Sequence, residues 1–112
     1  MKRSEIWWAA LDIPSGSEPG YRRPVVIVSN NVFNDSAWHS VLIVPLTSNL
    51  TREIAPGNVR IPTPATGLSR ASIALPIQVQ PIAKRKLVHC IGRVPDTLMR
   101  DIDKGLRLAL AL

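Results

Sequence analysis

Acidic residues are scarce in this chain, and so are the residues that bind metals. Asp and Glu together number 8 against 14 Lys and Arg, with one cysteine and two histidines. Cys90 has no partner for an internal disulfide, which fits a reducing compartment. His89 is its neighbour, so along a strand the two side chains point to opposite faces. The other histidine is His39, and no Cys-x-x-Cys or His-x-x-x-His spacing occurs, which removes the usual zinc sites. GSEPGYRR holds two glycines but no Gly-Lys-Ser/Thr, and no long helix follows, so it is no phosphate loop. A Gly-x-Ser-x-Gly nucleophile elbow is absent as well. No apolar run approaches the roughly 20 residues of a membrane span. The run in MKRSEIWWAALDIP is too short for a signal peptide, and Glu5 interrupts it. The expectation is a cytoplasmic protein with no metal, no cofactor and no membrane contact. Without repeats, low-complexity tracts or a linker, residues 1–112 are expected to form one domain.

What the chain has instead is positive charge and short apolar segments. A formal net charge of +6 suits a polyanionic partner. A hydrophobic fraction of 46% is enough for a core, although a domain this small gains by pairing. Glu5–Leu11, EIWWAAL, reads as a strand. IPSGSEPGYRR is a loop. Residues 24–29 form a second strand whose unbroken apolar run predicts burial on both faces, with Pro24 at its first position. NNVFNDSAWH holds at most one helical turn. Residues 40–46 are a third strand, in which Pro45 marks an edge or a bulge. Residues 47–57 are loop-like, and 58–62, 71–75 and 88–93 are further short strands. IAKRKL is one basic turn. A helix follows Pro95 and Asp96, which supply a fixed φ and a negative charge at its start. Leu98, Ile102, Leu106 and Leu110 recur along it every four residues as one apolar stripe of core packing. Gly105 inside it costs about 1 kcal/mol relative to alanine. Short strands plus a terminal helix predict a small, mainly β barrel.

Polar residues gather at the strand ends. If strands 24–29 and 40–46 pair antiparallel, Arg23 and Thr47 meet at one rim. Pro24 and the strand would hold Arg23 as a rigid fork for phosphate. The Thr47 hydroxyl can donate to a phosphoryl oxygen. Arg22, Ser48 and Glu18 lie on the same two segments. Read alone, Arg23 is more simply an ordinary strand-end cation and Glu18 a solvated loop charge, and Thr47 could simply cap a turn. Trp7, Trp8 and Trp38 are candidates for base stacking, and alternation puts one of Trp7 and Trp8 in the core. Lys84, Arg85 and Lys86 read as a solvated face, with phosphate contact second.

GSEPGYRRPVVIVSN followed by VLIVPLTSN resembles the MazF/PemK toxin family of toxin–antitoxin systems. EIWWAALD resembles the start of that family's first strand. LVHCIGRVPDTLMRDIDKGLRLALAL resembles its final strand and C-terminal helix. The resemblance covers nearly the whole chain in order. It implies an SH3-like barrel of the MazF/PemK/CcdB type, mainly β with a C-terminal helix, working as a homodimer. It implies a metal-independent endoribonuclease that cuts single-stranded RNA at short sequences. It implies catalytic roles for Arg23, directly before the proline, for Thr47 in the Pro-x-Thr pattern, and for Glu18, five residues before the arginine. Arg22, Ser48, Gln78 and Trp8 are the expected RNA-binding residues. Relatives often carry an acid and then Gln-Ile-Arg-Thr, whereas this chain reads PIQVQP: Gln78 matches the glutamine, Ile77 replaces the acid and Gln80 the arginine.

The implied chemistry uses the RNA's own 2′-OH as nucleophile. Arg23 would neutralise the non-bridging oxygens, its high pKa making it a poor base, while Glu18 is the nearby group suited to that part. The expected protein partner is a cognate acidic antitoxin, whose carboxylates mimic phosphate. Two other readings stay open on sequence. A CcdB-like gyrase poison shares the fold without catalysis, but that family uses a C-terminal Trp-Gly-Ile where this chain ends Leu-Ala-Leu. A barrel that binds RNA without cutting it would differ only in lacking turnover.

Overall fold

The computed structural model describes residues 1–11 and 21–112, with backbone only for Tyr21, so the loop glutamate Glu18 lies outside the described residues. Seven strands are described: β1 (Glu5–Leu11), β2 (Tyr21–Ile27), β3 (Ser40–Thr47), β4 (Val59–Ile61), β5 (Ser72–Ala74), β6 (Gln80–Ala83) and β7 (Leu87–Arg93). Two helices, α1 (Asn31–Asn34) and α2 (Asp96–Leu110), complete the regular elements beside short 3₁₀ turns. The strands run in the order β4-β5-β3-β2-β1-β7, β6 also pairs with β3, and every pairing is antiparallel.

β3 serves two partners on one side. Its first half, Ser40 to Ile43, pairs with β6, and Leu46 and Thr47 pair with β5. Pro45 falls in the gap between them, where a missing N–H breaks no ladder on that side, and its carbonyl accepts from the Leu75 N–H at 3.1 Å. Pro45 is therefore an interior residue at a change of partner and not at an open edge. β6 was hidden in the sequence by its brevity and by Pro81, which is tolerated because among the described residues β6 pairs only with β3. The basic turn Lys84–Lys86 forms as expected and carries the chain from β6 beside β3 to β7 beside β1. The sheet thus curls into a half-barrel.

Both faces of β2 are buried, as its apolar run predicted. Val25 and Ile27 pack with Ala9, Val41, Ile43, Ile82 and Leu87. Val26 lies on the other face with Ile6, Val44, Leu46, Met99 and Ile102 of the larger cluster. Each such Val or Ile contributes about 1.5–3 kcal/mol by leaving water. Helix α2 seats on the larger cluster, starting after Pro95 with Asp96 in its first turn.

The apolar stripe of α2 is narrower than its four-residue spacing suggested. Ile102 is buried, Leu98 and Leu106 are half-buried against the core, and Leu110 is exposed. The reason is angular: steps of four overrun a helix of about 3.6 residues per turn, so the fourth leucine has rotated off the buried face. Met99 and Gly105 are buried in its stead. Gly105 is there because nothing larger fits. A Cβ on it would stand 2.4 Å from the Gly57 carbonyl oxygen and 2.7 Å from Pro76 Cγ. Among the described residues no helix is long and apolar enough to cross a membrane.

Candidate active site

The β2–β3 register builds the site. Val25 pairs with Pro45, Val26 with Val44 and Ile27 with Ile43. Continuing that register two residues outward sets Arg23 opposite Thr47. Arg23 also pairs with Ala9 of β1, so strands flank it on both sides. One of its terminal nitrogens, Nη2, donates to the Leu46 carbonyl at 3.4 Å, a long contact that leaves most of the guanidinium's five N–H groups free. Thr47 Oγ1 accepts the Asn49 N–H at 3.2 Å, where the chain turns away from β3. The turn-capping role of threonine is thus realised, and its O–H hydrogen is still free to donate outward.

Three clefts meet at Arg23. The first, of about 490 Å³, is lined by Trp8, Arg22, Arg23, Thr47, Ser48 and Arg70 among others. The second, of about 410 Å³, shares Arg23 and Thr47 and adds Asn49, Arg52, Ile77 and Gln78. The third, of about 340 Å³, is lined by Arg23, Gln80 and Lys86 among others.

Charge is sorted sharply around these clefts. Among the described residues they are lined by Arg22, Arg23, Arg52, Arg70 and Lys86 and by no carboxylate. Four of the described carboxylates are engaged elsewhere. Asp35 pairs with Lys2 at 2.8 Å, Asp103 with Arg3, and Glu53 with Arg60 at 3.3 Å. Glu5 accepts from the Lys2 N–H at 2.7 Å and from the Trp7 indole at 3.1 Å. Glu53 adjoins Arg52 in sequence yet is committed to Arg60, so it does not neutralise the second cleft. Low-dielectric walls around uncompensated guanidinium groups concentrate positive potential where a phosphate backbone could lie.

Of the residues singled out by sequence, Arg22, Arg23, Thr47, Ser48 and Trp8 share the first cleft. Gln78 enters the second, beside Ile77. Strand alternation separates the paired tryptophans: Trp7 packs against the cluster around Val25 and Ile27, and Trp8 lines the cleft. Trp38 lies against His39, with ring centroids 4.6 Å apart, and lines none of the three clefts. Lys84 is tethered as well as exposed to water, since its Nζ donates to the carbonyls of Ser36 at 2.7 Å and Phe33 at 3.2 Å. Sequence reasoning missed Arg52 and Arg70. No local pattern marks either of them, since both lie on segments outside the strands. Among the described residues, no group of three or more His, Cys, Asp or Glu could hold a metal ion.

The family of PemK-like, MazF-like toxins of type II toxin–antitoxin systems matches residues 2–110. The chain belongs to this family. Endoribonuclease MazF6 of Mycobacterium tuberculosis is 38% identical over 112 residues, covering 100% of this chain and 98% of that protein. Endoribonuclease EndoA of Bacillus subtilis is 30% identical over 112 residues, covering 100% and 96%. A solved mycobacterial endoribonuclease, in complex with its cognate antitoxin, superposes with a TM-score of 0.76 at 25% identity, covering 100% of this chain and 94% of that one. A MazE–MazF structure from Deinococcus radiodurans gives a TM-score of 0.83 at 19% identity, covering 100% and 96%, which speaks to the fold alone. The mainly β half-barrel with a C-terminal helix is the fold of these MazF-like toxins.

Proposed function

We propose that this endoribonuclease toxin cuts single-stranded RNA without a metal. The 2′-OH beside the scissile phosphate loses its proton and attacks phosphorus. The O2′–P bond forms, the P–O5′ bond breaks, and the departing 5′ oxygen takes a proton. The products are a 2′,3′-cyclic phosphate and a 5′-OH end. The observation that carries this reading is that Arg23 and Thr47 line two clefts together, and that Arg23 joins these to a third, all three holding cations and, among the described residues, no carboxylate. Arg23 offers a planar fork to the non-bridging oxygens and stabilises the charge that grows on them. Thr47 donates its hydroxyl hydrogen to the same phosphoryl group. Glu18 is the proposed base for the 2′-OH. Arg22 and Ser48 bind the backbone, Trp8 stacks a base and Gln78 reads an adjacent one.

The decisive test uses purified protein and end-labelled single-stranded RNA. Cleavage should persist in EDTA and leave cyclic phosphate ends. RNA affinity should fall steeply with salt, because ion release drives arginine–phosphate binding. Cleavage abolished by EDTA, or affinity flat in salt, would overturn the reading.

The partner of this toxin is proposed to be an acidic antitoxin, whose carboxylates would compete with phosphate for the same arginines. The protein is further proposed to act as a homodimer, since a small domain gains stability by burying apolar surface. Light scattering at micromolar concentration should give twice the 12.3 kDa chain mass, and a clean monomer would count against it.

A further inference from the structure

We propose that Arg70, carried on the segment between β4 and β5, is a substrate-binding residue that grips the phosphate next to the one being cut. The inference rests on the ribonuclease reading and names a contact within the same groove. It starts from a mismatch in the first cleft. Arg23 and Thr47 account for one phosphate, yet Arg22 and Arg70 enter the same cleft from different segments. Neither guanidinium has an acceptor among the described residues. The space also has an apolar lining, from Trp8, Pro24, Leu68 and Ile91. An apolar wall beside two cations without acceptors among the described residues is what one nucleotide, with its base and its phosphate, would fill.

Arg70 belongs to a rigid wall. Gly67 lies so close to β7 that a Cβ on it would stand 1.8 Å from the Ile91 carbonyl oxygen. From the other side, a Cβ on Gly92 would stand 2.0 Å from the Thr66 carbonyl oxygen. Backbone therefore rests directly on backbone. Thr66 is fully buried, and its Oγ1 reaches the carbonyls of Pro62 at 2.7 Å and Thr63 at 2.9 Å. Just beyond, the Ser72 hydroxyl donates to the Arg70 carbonyl at 3.2 Å. The main chain at Arg70 is thus fixed relative to the strands that hold Arg23, while its side chain stays exposed to a ligand. A guanidinium on a fixed support loses less freedom on binding than one on a loose loop.

The test compares wild type, Arg70→Ala, Arg70→Lys and Arg23→Ala on one labelled single-stranded RNA, measuring equilibrium binding and cleavage side by side. Arg70→Ala should weaken binding and raise KM about five- to tenfold with kcat within about twofold, because it removes one ground-state phosphate contact. Its plot of log affinity against log salt should be shallower by about 0.7, the value for one phosphate on a single strand. Arg70→Lys should recover most of the affinity and the slope. Circular dichroism should show an unchanged fold. Wild-type affinity and salt slope in Arg70→Ala would overturn the proposal, as would a fall in kcat at unchanged KM. If no protein in the set cuts RNA while Arg70→Ala still binds it more weakly, the nuclease reading fails and the Arg70 contact stands.

Discussion

Arg23→Ala should lose about 10²–10³ in cleavage rate while the protein keeps its fold, because it removes one positioned donor to the transition state. The fold should survive for a local reason. Arg23 is half-buried near the outer end of β2, and its side chain makes the long contact to the Leu46 carbonyl. The residues that hold the strand, Val25, Val26 and Ile27, lie inward of it and are fully buried. Arg23→Lys should rescue only part of the activity, since a point charge cannot reproduce a planar fork. Arg22→Ala should weaken binding more than chemistry. Circular dichroism read beside a ladder of labelled RNA fragments separates these outcomes. A folded Arg23→Ala protein that cuts at the wild-type rate would remove the proposed active site.

Gly67→Ala should lower the melting temperature by about 10 °C or more. Two costs combine. The residue has φ +80°, a left-handed conformation that disfavours any Cβ by about 1–2 kcal/mol. The added methyl would also meet the Ile91 carbonyl oxygen at 1.8 Å. That neighbour is backbone of β7, so no rotamer change relieves the overlap, and β7 or the loop must shift. A total loss of about 3 kcal/mol is expected, at roughly 4 °C per kcal/mol for a domain of this size. Thermal melting followed by circular dichroism gives the answer. An unchanged midpoint would mean that the loop does not rest on β7, and the rigid wall carrying Arg70 would fall with it.

The legible parts of the fold were those with a strong local pattern. EIWWAAL, the apolar run from Val25 and the segment after Pro95 each declare themselves within a few residues. The bounds of β2 were less clear. It begins at Tyr21, so Arg22 and Arg23 lie inside the strand, paired with Ala10 and Ala9 of β1. Charge in the sequence suggested a loop there, but pairing partners decide strand membership as much as propensity does. Of the candidate site, Arg23 and Thr47 could be joined in advance, because antiparallel pairing relates two segments by simple counting. Arg70 could not. It reaches the cleft through the contact of Gly67 with β7, a meeting of residues far apart in sequence that no local pattern announces. Lys84 escaped for a similar reason, since its acceptors are carbonyls at Phe33 and Ser36, some fifty positions earlier.

The bare contact of Gly105 with Gly57 and Pro76 has a mechanical side. Side chains between packed elements act as cushions, because they can change rotamer and absorb a small displacement. Here the cushion is missing on the helix. Close-packed interiors of low compressibility pass strain on. Helix α2 and the two segments beneath it therefore behave as a stiff joint. Asn58 follows Gly57 in the chain, and Ile77 and Gln78 follow Pro76, and all three line the second cleft. The spacing of those cleft walls is set by where the C-terminal helix comes to rest, much as a hinge pin sets the gap between two leaves.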